Sequence, residues 1–356
     1  MNLQRERALG SGRTASTALL VSLGAILLVA LLASAGTDRL ASDFGDSYLR
    51  AAGRIRDGVS PYDTAWPLPY RYPPLLAELL VPLTFLPSGV ATFLGFVATL
   101  AAVYGALALV GVRDIRCYAA VTLWAPGWNA LETANVTAVL ALLAAVVWRY
   151  RDDTPRSAAA LGVAVSLKLL LWPLLVWAAA SRRLGLAGLS VLCTVAVTAA
   201  SWSLVGFAGA TSYTGTLREI GFDDSYSIVG MAASLGLPAF VGTAASALVG
   251  GALLLAVISL GRKGDDVGAF AAAIGATLAL TPVVWLHYLV LVVVPLGVSR
   301  PRFSAIWLLP IVLWMCPRSG NGHGLEPFVP LVLTGLLLGA LVLRPEPRST
   351  LVPEAA

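Results

Sequence analysis

Charge is what this chain has least of. Across 356 residues, Asp, Glu, Lys and Arg together make up 12%, against 58% hydrophobic residues. That is about half the charged share of a soluble domain, which argues against an ordinary water-soluble globule. Histidine occurs twice, at His287 and His323. Cysteine occurs three times, at Cys117, Cys193 and Cys316, far apart and with no CxxC spacing, so neither a metal site nor a disulfide framework is expected. No cofactor is indicated. A signal-peptide cleavage pattern is also missing: Arg5, Arg7 and Arg13 precede an apolar run at 17–36 that is long enough to stay as a span. The net charge of +5 does not point to nucleic acid, because the arginines fall at the ends of apolar runs, where orientation and anionic membrane lipid explain them.

What the chain does have is apolar runs, recurring from residue 17 to residue 343. They predict an all-α polytopic membrane protein, a single integral membrane domain over 1–356. The segments 17–36, 89–112, 185–208 and 239–260 are long enough to cross. Shorter runs come in pairs, 117–131 with 134–149, 157–167 with 169–181, 267–282 with 284–298, and 303–316 with 328–343. The run 73–87 contains Glu78 and Pro82 and reads as interfacial or re-entrant. About twelve crossings result, some of them short or partly re-entrant. With 1–16 and 344–356 cytoplasmic, most of the 24 Lys+Arg fall on the cytoplasmic side, as the positive-inside rule requires. Residues 37–88 then form an extracytoplasmic loop at the cell membrane.

That loop holds the densest charge. Between 38 and 73 lie Asp38, Asp43, Asp46, Asp57 and Asp63 together with Arg39, Arg50, Arg54, Arg56 and Arg71. Tyr48, Ala51, Ala52 and Ile55 repeat at helical spacing, which predicts an amphipathic helix lying in the membrane interface, capped by Asp46 or Ser47 and ended by Gly58 and Pro61. The topology gathers further polar residues on the same side. A carboxylate such as Asp43 or Asp46 can take a proton as a general base; Asp46 has the alternative role of helix cap, and Asp43 has no such local role. Lys168, inside an apolar stretch, can hold a phosphate as a point charge, or snorkel to the interface. His287 can contact phosphate or move a proton, or simply be hydrogen-bonded in the bundle. Glu132 and Asn135 can bind sugar hydroxyls or join helices. Asn135-Val136-Thr137 also matches a glycosylation sequon, but it stands at the start of a span. Asp223 and Asp224 read as a solvated loop. Trp124, Trp128, Trp172 and Trp285 can stack on sugar, with anchoring at the membrane surface the plainer explanation. Tyr62, Tyr70, Tyr72 and Tyr288 belong to the same gathering.

Five stretches carry a resemblance: DFGDSYLRAAGRIRDGVSPYD, YRYPPLLAELLVPLTFLP, WNALETANVTAVL, SLKLLLWPLL and TPVVWLHYLVL, together extending over 43–291. In this order they resemble glycosyltransferase family 87, actinobacterial membrane enzymes of the GT-C fold that take mannose, or arabinofuranose, from a polyprenyl-phosphate donor. The resemblance implies an inverting transfer without a metal to a glycolipid or lipoglycan acceptor at the periplasmic face. It maps the family's catalytic aspartate to Asp43, with Asp46 as the other candidate. With such a donor, its phosphate is expected at Lys168, His287 or an arginine of the first loop, and substrate contacts are expected from Tyr48, Tyr62, Tyr72, Glu132, Asn135, Trp285 and Tyr288. The family often has Gly-Gln-x-Asn where this chain has Glu132-Thr133-Ala134-Asn135, and Trp-x-His-His where it has Trp285-Leu286-His287-Tyr288. A secondary transporter is the alternative class, since broken helices and an intramembrane lysine suit one. Against it, the polar stretch near residue 45 has no counterpart in the second half of the chain.

Overall fold

The computed structural model describes residues 2–33, 41–62, 70–218, 225–316 and 326–343, and every element among them is helical. Asp38, Arg39, Asp63, Asp223, Asp224, His323 and the segment 344–356 lie outside the described residues. The chain begins with α1 (Asn2–Ala33), followed by a π-helix (Asp43–Leu49) that runs straight into α2 (Arg50–Arg56). Next come α3 (Pro74–Leu80) with a 3₁₀ extension (Val81–Phe85), α4 (Ser88–Leu109), α5 (Ile115–Leu123), α6 (Ala125–Thr133), α7 (Thr137–Arg149) and α8 (Thr154–Leu167). The order continues with α9 (Pro173–Ala180), α10 (Leu184–Leu204), α11 (Ala210–Arg218), α12 (Ile228–Ser234), α13 (Ala239–Arg262) and α14 (Asp266–Leu280). A 3₁₀ stretch (Leu286–Val292) leads into α15 (Val293–Ser299), a second one spans Ala305–Met315, and α16 (Phe328–Leu343) ends the described chain.

Three of these helices, α4, α10 and α13, are long and apolar enough to cross a membrane on their own. Pro87 and Pro238 stand at the N-caps of α4 and α13, and Gly111 and Gly264, both at positive φ, follow their C-termini. The outward faces of α10 and α13 are leucine and phenylalanine, with Leu204, Phe240 and Leu248 more than 70% exposed, as suits contact with lipid rather than water. Shorter apolar helices fill the remainder, and α6 and α7 meet at a 115° bend.

At the centre sits α14, rich in alanine and glycine and buried along nearly its whole length. Small residues let its neighbours approach. A Cβ on Gly250 of α13 would collide with the Leu280 side chain, and Ser246 of α13 donates to the Ala279 carbonyl at 2.7 Å. The pair α8 and α10 packs the same way: a Cβ at Gly162 would lie 2.5 Å from that of Cys193, and Ser166 donates to the Thr194 carbonyl. Without a hydrophobic drive between helices in lipid, such close packing and interhelical hydrogen bonds hold the bundle.

Several expectations change. The helix in the first loop starts at Asp43, not after Asp46, and its first turns are π-helical, so neither Asp46 nor Ser47 is a cap. Its apolar face is Tyr48, Ala51 and Ala52, all buried against protein rather than laid on lipid. The polar segment that follows α10 forms the helix α11 at Ala210–Arg218. Trp124 is no surface anchor: it is buried, and its indole donates to the Trp307 carbonyl at 2.7 Å. Trp314 likewise donates to the Leu123 carbonyl at 2.6 Å. These indoles satisfy carbonyls released where α5 ends and where the 3₁₀ stretch leaves its backbone short of α-helical bonds, which an apolar surrounding demands.

Candidate active site

One cavity of about 520 Å³ opens among the ends of broken helices. The π-helix contributes Asp43, Ser47 and Tyr48; the segment before α3 contributes Arg71 and Tyr72; the α8–α9 break contributes Lys168, Leu169, Leu170 and Trp172; and the α14 end with the following 3₁₀ stretch contributes Thr281, Trp285, His287 and Tyr288. Asn129 and Thr133 of α6 and Tyr213 of α11 complete the wall.

The acidic side is built by two turns that hold each other. Helix α6 ends with Ala134 in the left-handed region (φ 47°), its N–H on the Leu131 carbonyl and that of Asn135 on the Ala130 carbonyl. This is the usual closure of a helix by a left-handed residue, made here with alanine instead of glycine. It turns the chain through the bend into α7 and aims Asn135 at the first loop. Ala41, also left-handed (φ 55°), donates its N–H to the Glu132 carbonyl at 2.6 Å, fixing the start of the π-helix on α6. As a result Asn135 Nδ2 donates to Asp43 Oδ2 at 2.6 Å and to the Tyr72 hydroxyl at 3.3 Å. The Tyr48 hydroxyl donates to that of Tyr72 at 3.0 Å. Burial raises the Asp43 carboxyl above its ordinary value, and Asp46 adds to this; the Asn135 hydrogen bond and the charge of Lys168 oppose it.

The cationic side is Lys168, the residue at which α8 breaks into extended backbone. Its Nζ lies 3.7 Å from the centre of the Tyr288 ring and 5.0 Å from that of Tyr72, a contact between cation and ring faces. Nζ is buried and has no hydrogen-bond partner among the described residues, and the same holds for Arg71 Nε and His287 Nε2. His287 Nδ1 donates to Asn129 Oδ1 at 3.0 Å, so a neutral ring presents the Nε2 lone pair.

Of the residues singled out in the sequence, Asp43, Tyr48, Tyr72, Lys168, Trp172, Trp285, His287 and Tyr288 line this cavity, and Asn135 reaches it through Asp43. Asp46 is exposed and outside it. Glu132 contributes its carbonyl to the Ala41 turn, while its side chain is not in the wall. Tyr62 stands behind the wall: its hydroxyl donates to the Tyr72 carbonyl, and its ring packs on Tyr70, Trp202 and Tyr213. Thr133, Tyr213 and Thr281 were not foreseen. Arg71 was visible only as one of five loop arginines; its place beside Tyr72, just before the proline pair at 73–74, was the available signal.

Apolar helices able to cross a membrane, with a carboxylate and unpartnered cationic groups around one cavity at their broken ends, define an all-helical membrane protein with a polar site. The chain belongs to glycosyltransferase family 87, which matches residues 70–284, more than half of its length. Among similar proteins is a polyprenol-phosphate-mannose-dependent α-(1-2)-phosphatidylinositol pentamannoside mannosyltransferase of Mycolicibacterium smegmatis, 27% identical over 299 residues, covering 76% of this chain and 67% of that protein. A protein of the same description from Mycobacterium tuberculosis is 27% identical over 273 residues, covering 70% of this chain and 59% of its own length. No solved structure matches. The family match includes Arg71, Tyr72, Asn135 and Lys168, and stops short of Trp285 to Tyr288 and of Asp43.

Proposed function

We propose that the protein is a multi-pass mannosyltransferase of the cell membrane that transfers mannose from a polyprenyl-phosphate donor to a glycolipid acceptor of the phosphatidylinositol mannoside kind. One observation carries this reading: a carboxylate and an unpartnered buried lysine face one cavity at the edge of the apolar bundle, the two charges that a sugar-phosphate transfer needs. Asp43 takes the proton of the acceptor hydroxyl as its oxygen bonds to the anomeric carbon. The bond from that carbon to the phosphate oxygen breaks on the opposite face, which inverts the centre. The leaving polyprenyl phosphate carries the negative charge to Lys168 and Arg71. His287 presents Nε2 to the same space, as a donor to phosphate when protonated and as an acceptor from a sugar hydroxyl when neutral. Tyr48, Tyr72, Trp285 and Tyr288 shape the sugar site, with Asn135 holding the base; Glu132 and Tyr62 support the wall from behind.

The site belongs on the periplasmic face in this reading, within a bundle of about twelve short and long crossings. Its support is charge: Arg149, Arg151, Arg156, Arg182, Arg183, Arg262 and Lys263 gather at or beyond the opposite helix ends, as the positive-inside rule asks of the cytoplasmic side. The experiment is transfer of radiolabelled mannose from polyprenyl-phosphate mannose to phosphatidylinositol mannosides by the purified protein. Wild type transfers and Asp43→Asn does not; equal transfer by both would sink the mechanism. A cysteine at position 43 that labels only from the cytoplasm would sink the topology.

A further inference from the structure

We infer that Thr137 is a positioning residue for the proposed base, because it fixes the amide of Asn135 in the one orientation that donates to Asp43. The inference rests on Asp43 being that base. An asparagine amide is ambiguous by itself, since oxygen and nitrogen have the same shape and opposite roles. Here the ambiguity is removed by two donors. The Thr137 backbone N–H, at 2.9 Å, and the Thr137 hydroxyl, at 2.7 Å, both end on Oδ1 of Asn135. A backbone N–H cannot accept, so the atom facing it is the oxygen. The nitrogen therefore faces the first loop, where it meets Asp43 Oδ2 and the Tyr72 hydroxyl. All four hydrogen-bonding positions of the amide are used, and Asn135 and Thr137 are 1% and 0% exposed.

The consequence is chemical. An amide that only donates favours the ionised carboxylate and leaves the other oxygen of Asp43 for the acceptor hydroxyl. The sequon spacing at 135–137 thus has an internal use: the threonine two residues on locks the asparagine, in the manner of a local side-chain turn. Other charged or titratable groups acting on Asp43 are Asp46 on its own helix, Lys168 at the end of α8, and the hydroxyls of Tyr48, Tyr72 and Tyr288. None of them can set the amide.

The test is the pH profile of kcat for transfer from polyprenyl-phosphate mannose to phosphatidylinositol mannoside. Thr137→Val keeps the shape and the N–H and loses the hydroxyl, so Oδ1 is held by one donor instead of two and the amide is fixed less firmly. The expected result is a fall in kcat of roughly tenfold and an acid limb moved up by about half to one pH unit, with the donor KM within twofold. Thr137→Ser returns the limb to its wild-type position. Asn135→Asp accepts the same Thr137 donors and cannot donate to Asp43, so its limb moves up further; it serves in place of the valine variant should that fail to fold. An unmoved limb in the valine variant, or in Asn135→Asp where that stands in for it, or a serine variant that does not restore it, overturns the positioning role while an inactive Asp43→Asn leaves the base in place. An active Asp43→Asn overturns both.

Discussion

The bundle of α7, α8, α9 and α14 has charged groups gathered near both of its ends, and the two ends handle them in opposite ways. At one end Asp266, the first residue of α14, takes both guanidinium nitrogens of Arg183 at 2.9 and 3.0 Å, Arg151 Nε at 3.1 Å and the Trp177 indole at 3.0 Å. Arg183 also reaches Asp152 at 3.2 Å, and Arg151 stacks 4.5 Å over Trp148. Asp266, Arg183, Arg151 and Asp152 each have a partner of opposite sign there, and Asp266 sits where the helix dipole favours an anion. At the other end, about 20 Å along a helix of 14 residues, Lys168 Nζ, Arg71 Nε and His287 Nε2 are buried without hydrogen-bond partners among the described residues. A buried cation left unpaired is costly. A chain that clasps Asp266 between two arginines at one end and leaves buried cationic and imidazole nitrogens open at the other keeps the second set for a ligand.

Removing charge from each end sharpens this contrast. Asp43→Asn is expected to lower kcat by roughly 10²- to 10⁴-fold with little change in melting temperature in detergent. Asp266→Ala should do the reverse, losing about 2–4 kcal/mol of stability by leaving Arg151 part-buried and unpaired and Arg183 with only the exposed Asp152, with the specific activity of the folded fraction within about threefold. If Asp266→Ala melts like wild type, the clasp is not structural and the contrast fails. Lys168→Met comes next. It is expected to raise the donor KM about 10- to 100-fold, the worth of a hydrogen bond to a charged group, while its melting temperature rises, because an unpaired buried cation has gone. A variant that loses both donor affinity and stability would mean that Lys168 is paired after all.

The pH profiles should separate in the same way. Asp43 works ionised, so activity is full above its pKa and lost as pH falls through it; burial raises that pKa, which moves the acid limb above the usual carboxylate range. Asp114, at the start of α5, is the opposite case: its hydrogen bonds with Arg116 hold its carboxyl down to about 2. Its contribution to stability is present above the unfolded value near 4 and is lost only as pH falls toward 2. Activity should therefore be lost before the fold is, and circular dichroism recorded along the activity profile checks this. Coincident losses would count against a buried base.

Much of the fold was legible because hydropathy is a strong signal in a chain this poor in charge: the spans α4, α10 and α13 and the breaks at Lys168 and Asn135 all stand where apolar runs are interrupted. Asp43 and Lys168 stood out for the same reason, as charges where few occur. What was hidden depended on contacts between distant residues. Nothing near Asn135 in the sequence points to Asp43, 92 positions away. Tyr213 sits in a stretch whose polarity reads as loop, and its helix is buttressed by Tyr62 and Trp202. The π-helical start at Asp43 leaves no mark in residue spacing, so Asp46 read as a cap when the helix had already begun.

Backbone strain gives the smallest effect and the finest comparison of the two ends. Ala134 at the site and Arg182 in the α9–α10 turn at the clasp end are both left-handed without being glycine, at φ 47° and 62°. Each conformation costs roughly 1 kcal/mol for a residue with a Cβ, so Ala134→Gly and Arg182→Gly should each stabilise by up to about that amount, less the extra freedom glycine gains in the unfolded chain. Loss of the Arg182 side chain touches no ion pair of the clasp, so its specific activity should not change. Ala134→Gly loosens the turn that aims Asn135 at Asp43, and a fall in kcat of two- to fivefold is expected despite the gain in stability. Equal activity in the two variants would mean that the strain at Ala134 is merely that of a helix end, and that hydrogen bonds alone hold the amide in place.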